Sequence, residues 1–179
     1  MSSNNLYPKT GLLSRLFSFL QRLLRRDTSE SQSTTSERKE IESRLIQMLR
    51  SEEGVIPTLY KDHLGYDTIG VGHLVDARRG GGLPDWAQEE LNQSGRLTDE
   101  SIDMLLLSDI KEKETQLNSA LPWAKDLDYV RYCVLVDMCF QMGIGGLLGF
   151  NNTLRYIKEG NYDQAAKNML VSKWAKQTP

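Results

Sequence analysis

The sequence predicts an α+β protein, a small lobe with an antiparallel sheet joined by one long helix to a helical lobe. Three observations predict this. Residues 37–53 place Ile41, Leu45, Met48 and Leu49 along one face at helical spacing. Residues 58–75 change period, to short β-prone runs punctuated by glycine. From Thr98 onward helical patterns succeed one another.

Residues 11–26, GLLSRLFSFLQRLLRR, form a cationic amphipathic pattern, with leucines and phenylalanines on one side and Arg15, Arg22, Arg25 and Arg26 on the other. Arg15 and Arg22 interrupt the apolar run, and no small-residue cleavage site follows, so the segment does not read as a secretory signal. Such a helix suits an anionic membrane surface, and it equally suits docking on the body or on a partner. Residues 27–36 are polar and read as a linker, with Ser36 as the expected cap of the helix over 37–53. Gly54 is that helix's expected stop. The domain proper is thus expected over 37–179, behind a leader over 1–26. After the sheet, a loop-rich stretch around Gly80–Gly82 precedes a short helix near Asp85–Asn92. Thr98 caps a long helix to about Ser119, and an apolar core helix covers Leu127–Met142 until the glycines at 143, 145, 146 and 149 break it. Shorter helices follow over 151–159 and 162–171.

Charge is unevenly placed. Residues 1–26 hold five basic side chains and no acid, so the other 153 residues carry a net charge of −7. A basic arm precedes an acidic body. No uninterrupted apolar run reaches the roughly 18 residues of a membrane span. Cys133 and Cys139 point to opposite sides of one helix, cannot pair with each other, and read as small buried residues in a reducing compartment. With only His63 and His73 and no paired-cysteine spacing, neither a metal site nor a cofactor is expected. The glycines of G-V-G-H-L-V permit close backbone approach at Gly70 and Gly72, but the third glycine of a dinucleotide loop is missing.

Two carboxylates stand out. Glu53 closes a helix, where unpaired carbonyls concentrate partial negative charge, a setting suited to a proton donor. Asp62 lies nine residues on, in a turn open to solvent, a setting suited to a charged group. Glycoside hydrolysis uses two acids in unlike settings: one protonates the leaving oxygen and the other assists the incoming group. On its own the pair is a weak signal in a chain with 24 acids.

The surrounding sequence is more specific. The stretch M-L-R-S-E-E-G-V-I-P-T-L-Y-K-D-H-L-G-Y-D-T-I-G-V-G-H-L, residues 48–74, closely resembles the active-site segment of the T-even bacteriophage lysozymes, a glycoside hydrolase family. The resemblance continues through F-Q-M-G at 140–143, G-F-N-N-T-L-R at 149–155 and S-K-W-A-K-Q-T-P at 172–179, and covers roughly residues 42–179. It implies a lysozyme-like fold and an inverting cleavage of the β-1,4 bond between N-acetylmuramic acid and N-acetylglucosamine in bacterial peptidoglycan. It implies Glu53 as general acid, Asp62 as the carboxylate that stabilises positive charge and positions water, and Thr68 as the hydroxyl holding that water. Leu74, Phe140, Thr153 and Asn168 match sugar-binding positions, with Gln141 a further polar group; plain core or surface roles remain open for Phe140, Thr153 and Asn168. His73 and Asp109 match a structural ion pair.

The sequence departs from the family pattern in two ways. The family continues beyond Q-T-P, whereas this sequence stops at Pro179, so part of the apolar face of helix 37–53 is expected to be under-buried. The body is acidic, which argues against general attraction to anionic walls. The reading is a monomeric phage or prophage endolysin, held in the host cytoplasm until the membrane is permeabilised, with no nucleic-acid partner. The alternatives are a virion-associated lysozyme and a truncated, non-catalytic wall-binding protein.

Overall fold

The computed structural model describes residues 35–172. The leader over 1–26, most of the linker and the terminal K-W-A-K-Q-T-P lie outside the described residues. The architecture is α+β, mostly helical with one small antiparallel sheet. The chain divides into two compact units, Ile46–Glu112 and a second that takes the residues on either side of it.

Helix α1 (Thr35–Glu53) runs from the second unit into the first. It begins before the expected start, so Ser36 lies inside the helix and does not cap it. An apolar period marks where a helix buries its face, and it is silent about a polar first turn such as T-S-E-R. Leu45 and Leu49 are buried, while Ile41 and Met48 are half-buried. The face expected to be under-covered is therefore covered at two of its four positions. Gly54 adopts φ 77°, in the left-handed region where a side chain is strained, and this ends α1 on Glu53.

Strands β1 (Ile56–Lys61), β2 (Asp67–Gly70) and β3 (His73–Leu74) form an antiparallel sheet in that order. Tyr60 pairs with Thr68, which pairs on its other side with Leu74. Directly opposed residues present their side chains on one face, so Tyr60, Thr68 and Leu74 line one side and Ile69 and His73 the other. A register shift between Ile56 and Tyr60 bends β1. A single 3-10 turn over Ala77–Arg79 leads to helix α2 (Asp85–Ser94) and then to the long helix α3 (Asp99–Ala120). The Thr98 hydroxyl accepts from the Ser101 amide at 3.3 Å, the cap the sequence predicts. Glu90 on α2 accepts from the Thr98 amide at 2.7 Å and from the Ser101 hydroxyl, tying α2 to the start of α3. Ile69, Val71, Leu97, Ile102 and Leu106 are buried in this unit.

The second unit centres on α4 (Tyr129–Leu148), capped by Asp128, whose carboxylate accepts from the Arg131 amide at 3.1 Å. A 3-10 turn over Pro122–Asp126 precedes it. The helix is interrupted at Gly143 (φ 70°, ψ 165°), but helical turns resume to Leu148. The expected end at Met142 is thus a kink; Gly145 and Gly146 continue the helix beyond it. Among the described residues α4 is the one helix long and apolar enough to cross a membrane, yet it carries the buried Arg131 and Asp137, and more than half of it is buried as in a core helix. Helices α5 (Asn151–Lys158) and α6 (Tyr162–Leu170) pack together. Arg131 pairs with Asp128 at 2.6 Å and sets its guanidinium 3.7 Å from the ring centre of Tyr162, tying α4 to α6. Cys133 and Cys139 are buried and form no disulfide among the described residues; burial pushes the Cys133 thiol up to about 12.

Candidate active site

Glu53 and Asp62 flank β1, one before the strand and one after it. Both are half-buried and both belong to the first unit, as do Thr68, Leu74, His73 and Asp109. Asp62 sits where β1 turns into β2, and the turn is knitted around its side chain. Its Oδ1 accepts from the Leu64 and Tyr66 amides, each at 2.8 Å. Its own amide donates to the Tyr66 carbonyl at 2.9 Å, and its carbonyl accepts from Gly65 at 3.0 Å. A short carboxylate side chain that hydrogen-bonds its own backbone two residues on is the reason Asp suits this turn.

The Thr68 hydroxyl donates to the same Tyr66 carbonyl at 3.1 Å. That commits its single hydrogen, so its oxygen can only accept from any other group. Thr68 is 4% exposed. Tyr66 is therefore the hub: its amide holds the Asp62 side chain and its carbonyl holds the Thr68 hydroxyl. Leu74, directly opposite Thr68 in the sheet, lies on the same face.

His73, on the other face, is held from both ring nitrogens. Nδ1 contacts the Asp109 carboxylate at 2.9 and 3.0 Å, and Nε2 lies 2.7 Å from the Gly82 carbonyl. Both neighbours are acceptors, so only the imidazolium, with two N–H donors, satisfies both. Burial acts to lower the pKa of His73, but the hydrogen bond and charge of Asp109 outweigh it, and the net shift is upward. The ion pair that the resemblance implies is present, and it also anchors the glycine loop.

Other contacts pin that loop. Gly82 donates to the Leu74 carbonyl and Gly81 to the Asp76 carbonyl, each at 3.1 Å. A Cβ on Gly81 would lie 2.4 Å from the Leu74 oxygen, so only glycine fits there. The buried Asp76 carboxylate caps the turn through the Arg78 amide at 3.0 Å and pairs with the Arg78 guanidinium, whose hydrogen bonds hold Asp76 down to about 2.

The structure also contains a contact that sequence reasoning missed. Arg50, one turn before Glu53 on α1, donates to Asp99 at 2.9 Å and to Asp103 on the first turns of α3. The Asp99 hydrogen bond, set against burial, leaves the guanidinium raised. The only signals in the sequence were the three-residue spacing from Arg50 to Glu53 and the four-residue spacing between the aspartates.

Phe140, Gln141, Thr153 and Asn168 lie in the second unit. Phe140, Gln141 and Asn168 are half-buried. The buried Oε1 of Gln141 has no hydrogen-bond partner, while its amide nitrogen lies 3.4 Å from Asp137. Thr153 is fully buried, and its hydroxyl contacts Asn168 Oδ1 at 2.9 Å. What Thr153 can offer a sugar is therefore indirect: it donates to the Asn168 oxygen and so leaves that side chain's amide nitrogen to other partners.

The mostly helical architecture with one small antiparallel sheet is that of a lysozyme-like α+β fold, the class in which glycoside hydrolases of this kind fall. The sequence pattern of the phage lysozyme family matches residues 50–178, and the chain belongs to that family. It is 30% identical over 145 residues to probable T4-type lysozyme 1 of Dictyostelium discoideum, covering 74% of this chain and 85% of that protein. Probable T4-type lysozyme 2 of the same organism is 30% identical over 149 residues, covering 76% and 88%. The pre-baseplate central spike protein Gp5 of Enterobacteria phage T4 is 30% identical over 148 residues, which cover 75% of this chain and 25% of the spike protein. The chain is thus a lysozyme, a muramidase whose substrate is peptidoglycan.

Proposed function

We propose that the chain hydrolyses the β-1,4 bond between N-acetylmuramic acid and N-acetylglucosamine with inversion. Glu53 protonates the leaving 4-oxygen of N-acetylglucosamine. Asp62 stabilises the positive charge that develops on the muramic acid ring and, with Thr68, holds the attacking water on the opposite face. The observation that best supports this is the shared use of Tyr66 by Asp62 and Thr68. Because its hydrogen is already given to the Tyr66 carbonyl, the Thr68 oxygen can accept one hydrogen of a water, and Asp62 can accept the other. A water held by both hydrogens directs its lone pair outward, toward an anomeric carbon, and sheds one proton to Asp62 as its oxygen bonds that carbon and the glycosidic bond breaks. Leu74, Phe140, Gln141 and Asn168, the last supported by Thr153, contact the sugars.

The test is the anomeric form of the first product. Proton NMR of fresh digests of glycan strands should show α-anomeric N-acetylmuramic acid ends before mutarotation. β-anomeric ends appearing first would exclude inversion.

The biological setting we infer is lysis: an endolysin that waits in the host cytoplasm and reaches the wall once the membrane is permeabilised. A second reading, a virion-associated lysozyme, is favoured by the 30% identity to the Gp5 spike protein. Finding the chain in purified particles would select the second reading; its absence there would favour the first.

A further inference from the structure

Three basic side chains lie around the catalytic hairpin, and two of them are neutralised. Lys61 pairs with Asp67 at 2.8 Å, and Arg78 pairs with Asp76. The third, Arg79, is exposed and has no acidic partner among the described residues. Its guanidinium carbon lies 5.0 Å from the ring centre of Tyr66. A planar cation stacked on an aromatic face keeps its edge N–H donors free and loses little freedom on engaging a carboxylate.

Two features make this more than a loose surface arginine. The loop that carries it is pinned to the sheet by His73 on Gly82, by the packing of Gly81 against Leu74, and by Asp76. The ring beneath it belongs to Tyr66, whose backbone holds both Asp62 and Thr68. The cation is therefore fixed relative to the residues assigned to catalysis. In a body of net charge −7, a fixed cation with no acidic partner among the described residues is a local exception at this place.

We propose that Arg79, stacked on Tyr66, is a subsite for a carboxylate of the stem peptide carried by N-acetylmuramic acid. This rests on the muramidase reading. What it adds is the place of that contact, on Arg79 beside the β1–β2 turn. Two oxygens of one carboxylate match two N–H groups of a guanidinium, which gives orientation as well as attraction.

Binding tests it without relying on turnover. The full chain carrying Glu53→Gln is co-sedimented with purified sacculi at low salt, with and without Arg79→Gln or Arg79→Lys. Arg79→Gln should weaken binding to intact sacculi by about two- to fivefold, as suits a partly screened ion pair, and Arg79→Lys should recover part of it. Arg78→Gln serves as a control for simple loss of positive charge and should weaken binding less. On sacculi whose carboxyl groups have been converted to amides, the difference between Arg79 and Gln should vanish. Equal weakening on amidated and intact sacculi, or none on intact sacculi, would overturn the proposal. Digestion by an amidase removes the stem peptide and frees the lactyl carboxyl that had held it in amide linkage; with that carboxyl converted to an amide as well, a difference between Arg79 and Gln that persists on the stripped strands would overturn the stem-peptide assignment. Turnover by the parent chain on the same sacculi reports separately on the muramidase reading.

Discussion

Replacing Thr68 with valine separates the chemical role of its hydroxyl from its structural one. Valine keeps the shape of threonine and exchanges the hydroxyl for a methyl, so the buried site is neither emptied nor overfilled. The Tyr66 carbonyl loses the donor at 3.1 Å but retains the Asp62 amide at 2.9 Å, so no buried acceptor is orphaned. The stability cost should be that of one ordinary hydrogen bond, about 0.5–1.5 kcal/mol. In a domain of this size that lowers Tm by about 2–5 °C. The effect on rate should be far larger. A water held by Asp62 alone loses one of its two fixed contacts, and removing one such positioned group typically costs about 10² in kcat, near 3 kcal/mol. Initial rates of reducing-end release from purified peptidoglycan measure the loss of rate, and thermal melting by circular dichroism the loss of stability. Thr68→Ser, which keeps the hydroxyl, should stay close to the parent in rate, while the loss of a buried methyl costs it about 0.5–1.5 kcal/mol of stability. A Thr68→Val enzyme that turns over at the parent rate with its fold intact would refute the argument that this hydroxyl orients the attacking water.

Other predictions follow from the same contacts. Asp62→Asn should keep the turn, because a carboxamide oxygen can accept from the Leu64 and Tyr66 amides as Oδ1 does, yet lower kcat by about 10²–10⁴; a melting point far below the parent's would show that the charge, too, holds the turn. The raised pKa of His73 means that its contribution to stability is full below the unfolded value of 6.5 and is lost as pH rises through the folded one. His73→Gln should therefore cost about 1–2 kcal/mol in urea unfolding at pH 5 and clearly less at pH 9; an equal cost at both would count against an imidazolium held by Asp109 and Gly82. Arg50→Gln should destabilise by about 0.5–2 kcal/mol, less in high salt because Asp99 is exposed; indifference to both mutation and salt would mean that the Arg50 pairs contribute nothing to the docking of α1 on α3.

What could be read from the sequence, and what could not, follows from the range of each interaction. The end of α1 at Glu53, the glycine stop, the sheet over G-Y-D-T-I-G-V-G-H and the Thr98 cap are local, and each was legible because backbone conformation and nearest neighbours determine it. The start of α1 was not, because polar residues can enter a helix without altering the apolar period that marks it. The continuation of α4 past Gly143 was hidden for a related reason: clustered glycines read as a break, whereas buried Leu147 keeps the following turns in place. In the candidate site, the acids and Thr68 lie in one contiguous motif. The Arg50–Asp99 pair joins residues 49 apart, and nothing at either position names the other. Thr153 illustrates a different gap: helical spacing gives the face a residue occupies but not its depth, so its burial beneath Asn168 needed coordinates.

In the proposed reaction Glu53 supplies the proton that frees the leaving sugar. The most direct measurement of that role is reducing-end release from purified peptidoglycan by Glu53→Gln beside the parent chain, with melting curves for both. The amide keeps the size of the side chain and has no transferable proton. The rate should fall by at least about 10²–10⁴ while Tm stays near the parent's. A folded Glu53→Gln chain that releases reducing ends as fast as the parent would contradict the claim outright.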